Sequence, residues 1–202
     1  MAGDSTQVIA GRNMIIYTAP WVKAAGAFPS DSAWGTPWGA TWVDKGFTRD
    51  GLRFRLNVTR NDVNVDQQVD PILRIPQRRD LHLQTALAQI NAQNLSDATG
   101  QGGVTTPVPP GTGTMGHQDF IVSGQIVDQY LMAGFDIQNP GDLQPVRIVG
   151  WMGLVMADVE MQFNVNDAAR IAFDIALIPD TSAADGPYPV RIAHFRDIIA
   201  AL

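Results

Sequence analysis

The sequence predicts a mainly β, antiparallel fold with one short helix and long loops, and three observations carry that prediction. The first is a period-2 alternation of apolar and polar residues that recurs along the chain. The second is the choice of charged residues. Of twenty acids only Glu160 is Glu, and of fourteen bases only Lys23 and Lys45 are Lys. Glu and Lys favour exposed helix, whereas Asp favours turns and caps. The third is a complement of 19 Gly and 13 Pro, which leaves little room for long helices.

Taken in chain order, strands are expected at Arg12–Thr18 and Ala40–Phe47. Next, Leu52, Phe54, Leu56 and Val58 alternate with Arg53, Arg55, Asn57 and Thr59. One apolar and one polar face is what a half-buried antiparallel strand requires. A further strand is expected at Leu81–Ala88. The single helix is placed from about Asn91 to Thr99, because Gly100 suits a C-cap. Strands at His117–Val127 and Gln129–Gln138 follow. Val159, Met161, Phe163 and Val165 alternate with Asp158, Glu160, Gln162 and Asn164, and Ile171–Leu177 repeats the pattern. Asn166-Asp167 supplies a tight turn between these last two.

Two segments do not read as core. Residues 28–43 hold Trp34, Trp38 and Trp42, three of the five tryptophans, together with Pro and Gly. Tryptophan on a loop points to local packing or to a partner surface. Residues 100–116 hold six Gly, three Pro and no charge, and read as a flexible loop. With no fixed-period repeat, residues 1–202 are read as a single domain.

Composition narrows the function classes. A 45% hydrophobic content excludes wholesale disorder. The absence of cysteine excludes a disulfide scaffold, thiolate zinc, iron–sulfur clusters and cysteine nucleophiles. A net charge of −6 argues against a basic nucleic-acid-binding domain. The opening MAGDSTQ lacks a basic segment followed by an apolar core, so no signal peptide is expected. The apolar run from Ile148 to Ala157 is too short to span a bilayer. Charge is also uneven. Residues 44–80 carry eight bases and six acids, and residues 81–202 carry four and twelve. Such a division suits opposite faces of a self-associating molecule, and equally a solvated surface.

The chemical motifs fail on context. Gly111-Thr112-Gly113-Thr114-Met115-Gly116 fits the glycine fingerprint of dinucleotide folds, but it follows three prolines and leads into an expected strand. Asp62-Val63-Asn64-Val65-Asp66 starts like a calcium loop, yet Gln67 stands at the glycine position and Leu73 at the bidentate glutamate, and alternation along an edge strand explains it better. His82, His117 and His194 have no zinc spacing. Ser123 lacks a nucleophile elbow, because Ile121 stands where Gly is needed. Asp158 and Glu160 share a strand face, but Gln162 and Asn164 continue it as an ordinary solvated surface. No catalytic residue, metal site or cofactor is expected.

The order of elements carries a resemblance. The stretch Trp38-Gly39-Ala40-Thr41-Trp42-Val43-Asp44-Lys45-Gly46-Phe47-Thr48 leads into Asp50-Gly51-Leu52-Arg53-Phe54. A polar excursion follows through Asp62–Gln67 and Asp70-Pro71-Ile72-Leu73-Arg74, then the Asn-rich Asn91–Leu95, and near the end Ala168–Asp180. Over residues 38–99 and 145–180 the chain resembles the tail tube (major tail) proteins of long-tailed bacteriophages. The resemblance implies a β-sandwich or barrel subunit that forms stacked hexameric rings around a lumen through which genomic DNA passes. It implies assembly in the host cytoplasm into the virion tail, with the tape measure, tail terminator and tail-tip proteins as neighbours.

On that reading residues 59–80 form an inter-subunit or inter-ring excursion. Candidate subunit contacts are Trp34, Trp38, Trp42, Arg53, Arg55, Arg74, Arg78 and Arg79, since Trp and Arg are the usual interface anchors. Candidate lumen residues are Asp158, Glu160, Gln162, Asn164 and Asp174, because an acidic wall would not retain a polyanion. Two alternatives stand beside it. One is a carbohydrate-binding β-sandwich stacking sugars on Trp34, Trp38 and Trp42. The other is the tube subunit of a bacterial secretion or contractile injection system.

Overall fold

The computed structural model describes residues 13–23, 28–64, 66, 70–100, 103–113, 115–122, 124, 128–138, 145–156, 159, 170–185 and 187–198. Its strands are β1 (Met14–Pro20), β2 (Val43–Asp44), β3 (Thr48–Val63), β4 (Leu73–Leu87), β5 (Gly103–Val104), β6 (Phe120–Ile121), β7 (Tyr130–Gln138), β8 (Pro145–Val155), β9 (Ile171–Leu177) and β10 (Ala193–Asp197), with one helix, α1 (Ala92–Thr99). All pairings among the described strands are antiparallel. The main sheet runs β2-β1-β7-β8-β9-β4-β3, and β5 and β6 form a separate small pair.

The sheet forks at β8. One edge of β8 pairs with β7 along nearly its full length, and the other is shared by two strands. Residues Val146–Gly150 pair with β10, and Gly153–Val155 pair with β9. The sheet also curls until β1 and β3, near its two ends, come into contact. Inside the curl lies the main core, built from Ile16, Leu83, Leu87, Phe135, Ile148, Phe173 and Ile175 among others, with Ala98 of α1 closing one side. These side chains come from alternate positions of five strands, as period-2 geometry dictates.

The helix follows its sequence signals. Asn91 is the N-cap, its side chain accepting from the Asn94 backbone N–H at 2.7 Å, and Gly100 takes the left-handed C-cap with φ 61°. Two buried polar residues dock it. Asn94 donates to the carbonyls of Lys45 and Gln89, and Asp97 pairs with Lys45 Nζ at 2.7 Å while accepting from Thr18 Oγ1 at 2.6 Å. Lys45 is 1% exposed. Removing either partner of such a buried pair costs about 3–5 kcal/mol, because the other charge is left uncompensated.

Strand β8 has both faces covered from Pro145 to Trp151, which explains why its sequence shows no alternation. Ile148 faces the main core, while Arg147, Val149 and Trp151 face a second layer on the outside of the sheet. That layer is the loop of residues 28–42. Trp38 stacks on Tyr17 at 4.7 Å and sits on Gly134, where a Cβ would approach Trp38 Cζ3 to 2.1 Å. Beneath the loop, Arg147 pairs with Asp136 at 3.3 Å, donates to the Ser30 carbonyl, and reaches the Ser32 carbonyl at 2.8 Å. Burial raises the Asp136 carboxyl above its usual value, opposed by the Arg147 guanidinium. Burial, with Asp44 and Asp136 adding, pushes the Tyr17 hydroxyl to about 12.

The mainly β antiparallel class is the one the sequence predicts, and β1, β7, β9 and α1 fall within a few residues of their expected spans. Four differences stand out. Strands β8 and β10 have no counterpart among the expected elements. The Ala40–Phe47 strand shrinks to Val43–Asp44, because beyond it Gly46 turns the chain at φ 78° and Lys45 is drawn inward to Asp97. Of His117–Val127, Phe120–Ile121 is strand, and residues 123 and 125–127 lie outside the described residues. The expected strand at Val159–Val165 and its Asn166-Asp167 turn also lie outside them, Val159 excepted. The 100–116 segment is not featureless: β5 pairs with β6, and Val108 bridges His117.

Candidate assembly surface

Among the described residues, the hairpin of β3 and β4 is the longest stretch of exposed strand. Near its foot β4 has a second neighbour, since Leu81–Leu87 pair with β9. Beyond Leu81 no third strand accompanies it among the described residues. Asn57–Val63 and Leu73–Asp80 therefore project as a two-stranded ribbon with neither face covered. At about 3.4 Å per residue this arm extends on the order of 24 Å past the three-stranded region. A free two-stranded ribbon is marginal in water. It asks for a covering partner.

Register assigns the faces. Cross-strand partners share a face, so Val63 with Leu73, and Asn61 with Ile75, form an apolar tip that Ile72 extends at the turn. The opposite face carries the pair Asp62–Arg74 at 3.1 Å, then Arg60, Pro76 and Arg79. Bulges shape the ends of this hairpin. One falls between Thr59 and Arg60, and a wider one between Arg49 and Arg53, where Asp50 and Gly51 both take positive φ. Phe54 and Leu56 lie on the core side of β3 yet stay about half exposed, because no strand covers its outer edge among those described.

The expected contact residues separate into three groups. Arg53, Arg55, Arg74, Arg78 and Arg79 are all exposed on this hairpin. Two of them also hold partners in their own chain, Arg74 with Asp62, and Arg78 with Asp80 at 2.8 Å. Trp34 and Trp42 are half-buried. Trp38 is 7% exposed and committed to its own chain, against Tyr17, Gly134 and, edge-on at 5.3 Å, Trp42. The loop of residues 28–42 packs locally. It offers no platform of three free indoles.

Among the expected lumen residues, Asp158, Glu160, Gln162 and Asn164 lie outside the described residues. Asp174 is described, and its setting corrects the division made from sequence. Register places Arg53 opposite Gln84, Gln84 opposite Asp174, and Arg55 opposite His82. All five side chains share one face of β3-β4-β9. Gln84 Nε2 donates to Asp174 at 2.7 Å, and His82 Nδ1 lies 3.0 Å from its other oxygen. Asp174 therefore does not stand on a wall apart from Arg53 and Arg55.

The C-terminal segment forms a second outer clamp that the sequence did not reveal. Asp180 and Arg191 pair at 2.7 Å and are almost wholly buried. Burial pushes the Asp180 carboxyl up, but bonds from Ser182 and Arg191 outweigh it and hold the group below the usual carboxylate range. Arg191 lies 4.3 Å over the Trp151 ring, and Trp151 Nε1 donates to Asp185, which also meets His194 Nδ1 at 2.9 Å. Arg196 covers Phe28 at 3.9 Å and pairs with Asp31 at 2.8 Å, tying this segment to the tryptophan-bearing loop.

Two open cavities lie near the foot of the β3–β4 hairpin. The larger, about 640 Å³, is lined by Met14, Ile15, Trp34, Asp44, Phe47 and Thr48 among others. The smaller, about 400 Å³, lies at the wide bulge beside Arg53, Gln84 and Arg170. Among the described residues no group of three His, Asp or Glu side chains is placed to hold a metal ion. Nor is any described helix long and apolar enough to cross a membrane.

Together these features define an antiparallel β domain whose distinctive surface is a projecting two-stranded arm. The family model described as phage tail tube protein matches residues 1–178, and the chain belongs to that family of tail structural proteins. No curated protein matches it in sequence. Among solved structures the chain is similar to a chain of the anti-feeding prophage (AFP) baseplate, determined by cryo-EM and 6-fold symmetrised. The two share 10% identity over 98% of this chain and 97% of that one, with a TM-score of 0.41. A likeness that distant carries no argument about function.

Proposed function

We propose that this protein is the repeating subunit of a phage tail tube, forming hexameric rings that stack into the conduit for genomic DNA during ejection. The observation that carries this reading is the family match over residues 1–178. The projecting arm supports it physically, because a ribbon exposed on both faces gains stability only when another molecule covers it. The role is structural, without catalysis, metal or cofactor. Partners are other copies of the chain, the tape measure protein, the terminator and the tip, and the setting is the virion tail, assembled in the host cytoplasm. DNA passes without specific binding. Negative-stain microscopy of the concentrated protein tests the proposal: six-fold tubes are expected, and a monomer at every concentration would overturn it.

A further inference from the structure

The Lys45–Asp97 pair has the proximity of an ion pair without the hydrogen bonds that make a buried one stable. The two side chains are 1% and 7% exposed, and Lys45 Nζ lies 2.7 Å from Asp97 Oδ2. Even so, Nζ makes no directed hydrogen bond to any described atom. An ammonium has three hydrogens to place, and a buried pair gains stability only when they are placed well.

Both partners are held where they are. The Lys45 backbone N–H donates to the Ile16 carbonyl at 2.9 Å, and its carbonyl accepts from Asn94 Nδ2 at 3.1 Å. The Asp97 carboxylate is fixed through both oxygens. Thr18 Oγ1 donates to Oδ2 at 2.6 Å, and Gln93 Nε2 donates to Oδ1 at 2.7 Å. An amine and a carboxyl group in contact, out of water, are the two halves of an amide. Well-oriented groups of this kind react as if at about 10⁵–10⁸ M. Joining them also replaces two desolvated charges by one neutral group.

We propose that Lys45 and Asp97 condense spontaneously into an intramolecular isopeptide bond, a modification that staples α1 to the segment leading into β3. One Nζ proton passes to Oδ2, and the neutral amine attacks Cγ. Negative charge then gathers on Oδ1, which already accepts from Gln93. A second Nζ proton passes to Oδ2, which leaves as water while Thr18 Oγ1 donates to it. The Nζ–Cγ bond forms, the Cγ–Oδ2 bond breaks, and no oxidant, reductant or cofactor is consumed. The bond closes a covalent ring through the whole β3–β4 hairpin, which restricts the unfolded chain as a disulfide would. It goes beyond the tube reading and holds whether or not the chain forms tubes.

Peptide mapping of the parent chain tests the bond. After incubation at neutral pH the intact mass is expected to fall one water below that of the sequence. Trypsin is expected to leave Lys45 uncut, and fragmentation to find a branched peptide joining Lys45 to Asp97. A succinimide at Asp50-Gly51 loses the same mass, so the branched peptide decides. Lys45→Arg keeps a cation beside Asp97 but cannot form the amide. It is expected to retain its full mass and to run more slowly than the parent on a denaturing gel. A parent chain at full mass with Lys45 cleaved overturns the proposal. So does water loss located elsewhere, or equal loss in Lys45→Arg. The parent map decides even if the variant does not fold.

Discussion

Gly134 and Trp38 form a single fitted unit, because the indole occupies the space that any side chain on β7 would need. Trp38→Ala removes that packing, the stack on Tyr17 and the cover over Arg147 together. Truncating a buried aromatic of this kind costs about 3–5 kcal/mol. Chemical denaturation should show that loss in the monomer, before any effect on assembly is measured. Gly134→Ala should destabilise in the same direction by displacing the ring. Asp180 makes a prediction of a different form. Its pKa is depressed in the folded state, so its contribution is present above the ordinary carboxylate value and is lost as pH falls through the folded value. Asp180→Asn also removes the buried carboxylate that pairs with Arg191, at a cost of about 3–5 kcal/mol near neutrality. Thermal melts should show a wide gap between parent and variant at pH 7 that narrows in acid. A gap independent of pH would mean that the carboxylate's charge is not what matters.

The arm is the element to which the proposed reading assigns assembly, and its two faces can be tested separately. Leu73→Asp with Ile75→Asp places charge on the apolar tip without touching the core, so the monomer should keep its melting temperature and lose the ability to form tubes. Arg60→Glu with Arg79→Glu reverses charge on the other face. It should weaken assembly most at low salt, since exposed charge pairs are screened over about 10 Å at 0.1 M. Sedimentation across a salt series reads both effects. At this scale, legibility in the sequence followed burial. Strands with one wet face, such as β9, announce themselves by alternation, and α1 by Asn91 and Gly100. β8 is covered on both faces by the core and the tryptophan-bearing loop, so its residues read only as an apolar run, with Arg147 an apparent interruption. The arm was legible as a polar excursion, with edge-strand alternation at its Asp62–Asp66 end, but its Leu73–Asp80 half was not legible as strand, because a ribbon without a buried face resembles a solvated loop. The cavity was not legible at all. It joins Trp34, Asp44 and Gln89, which only the closure of the sheet brings together.

At the scale of the whole molecule, the proposed function requires the placement of charge to reconcile assembly with passage of a polyanion. In the proposed hexameric ring, symmetry multiplies each exposed charge by six, and attraction for phosphate grows with the number of cations presented. The face of β3-β4-β9 that carries Asp174 also carries Arg53 and Arg55, while Asp174 is already bonded to Gln84 and His82. Lining a bore with that face would line it with guanidinium groups. On the proposed tube reading we therefore assign this face, and Asp174 with it, to contacts between subunits. The lumen is left to a segment whose polar positions are acidic or neutral, for which Asp158, Glu160, Gln162 and Asn164 remain the proposal. Two charge reversals distinguish the assignments. Arg53→Glu with Arg55→Glu should impair tube formation, and the defect should ease as salt rises. Asp158→Lys with Glu160→Lys should leave tubes intact, yet turn twelve negative charges per ring (two in each of six copies) into positive ones. DNA ejection from phage carrying that tube should slow, and more so at low salt, where a cationic wall holds phosphate longest. If the arginine variant assembles normally and alters ejection instead, the β3-β4-β9 face is the bore and the assignments exchange places.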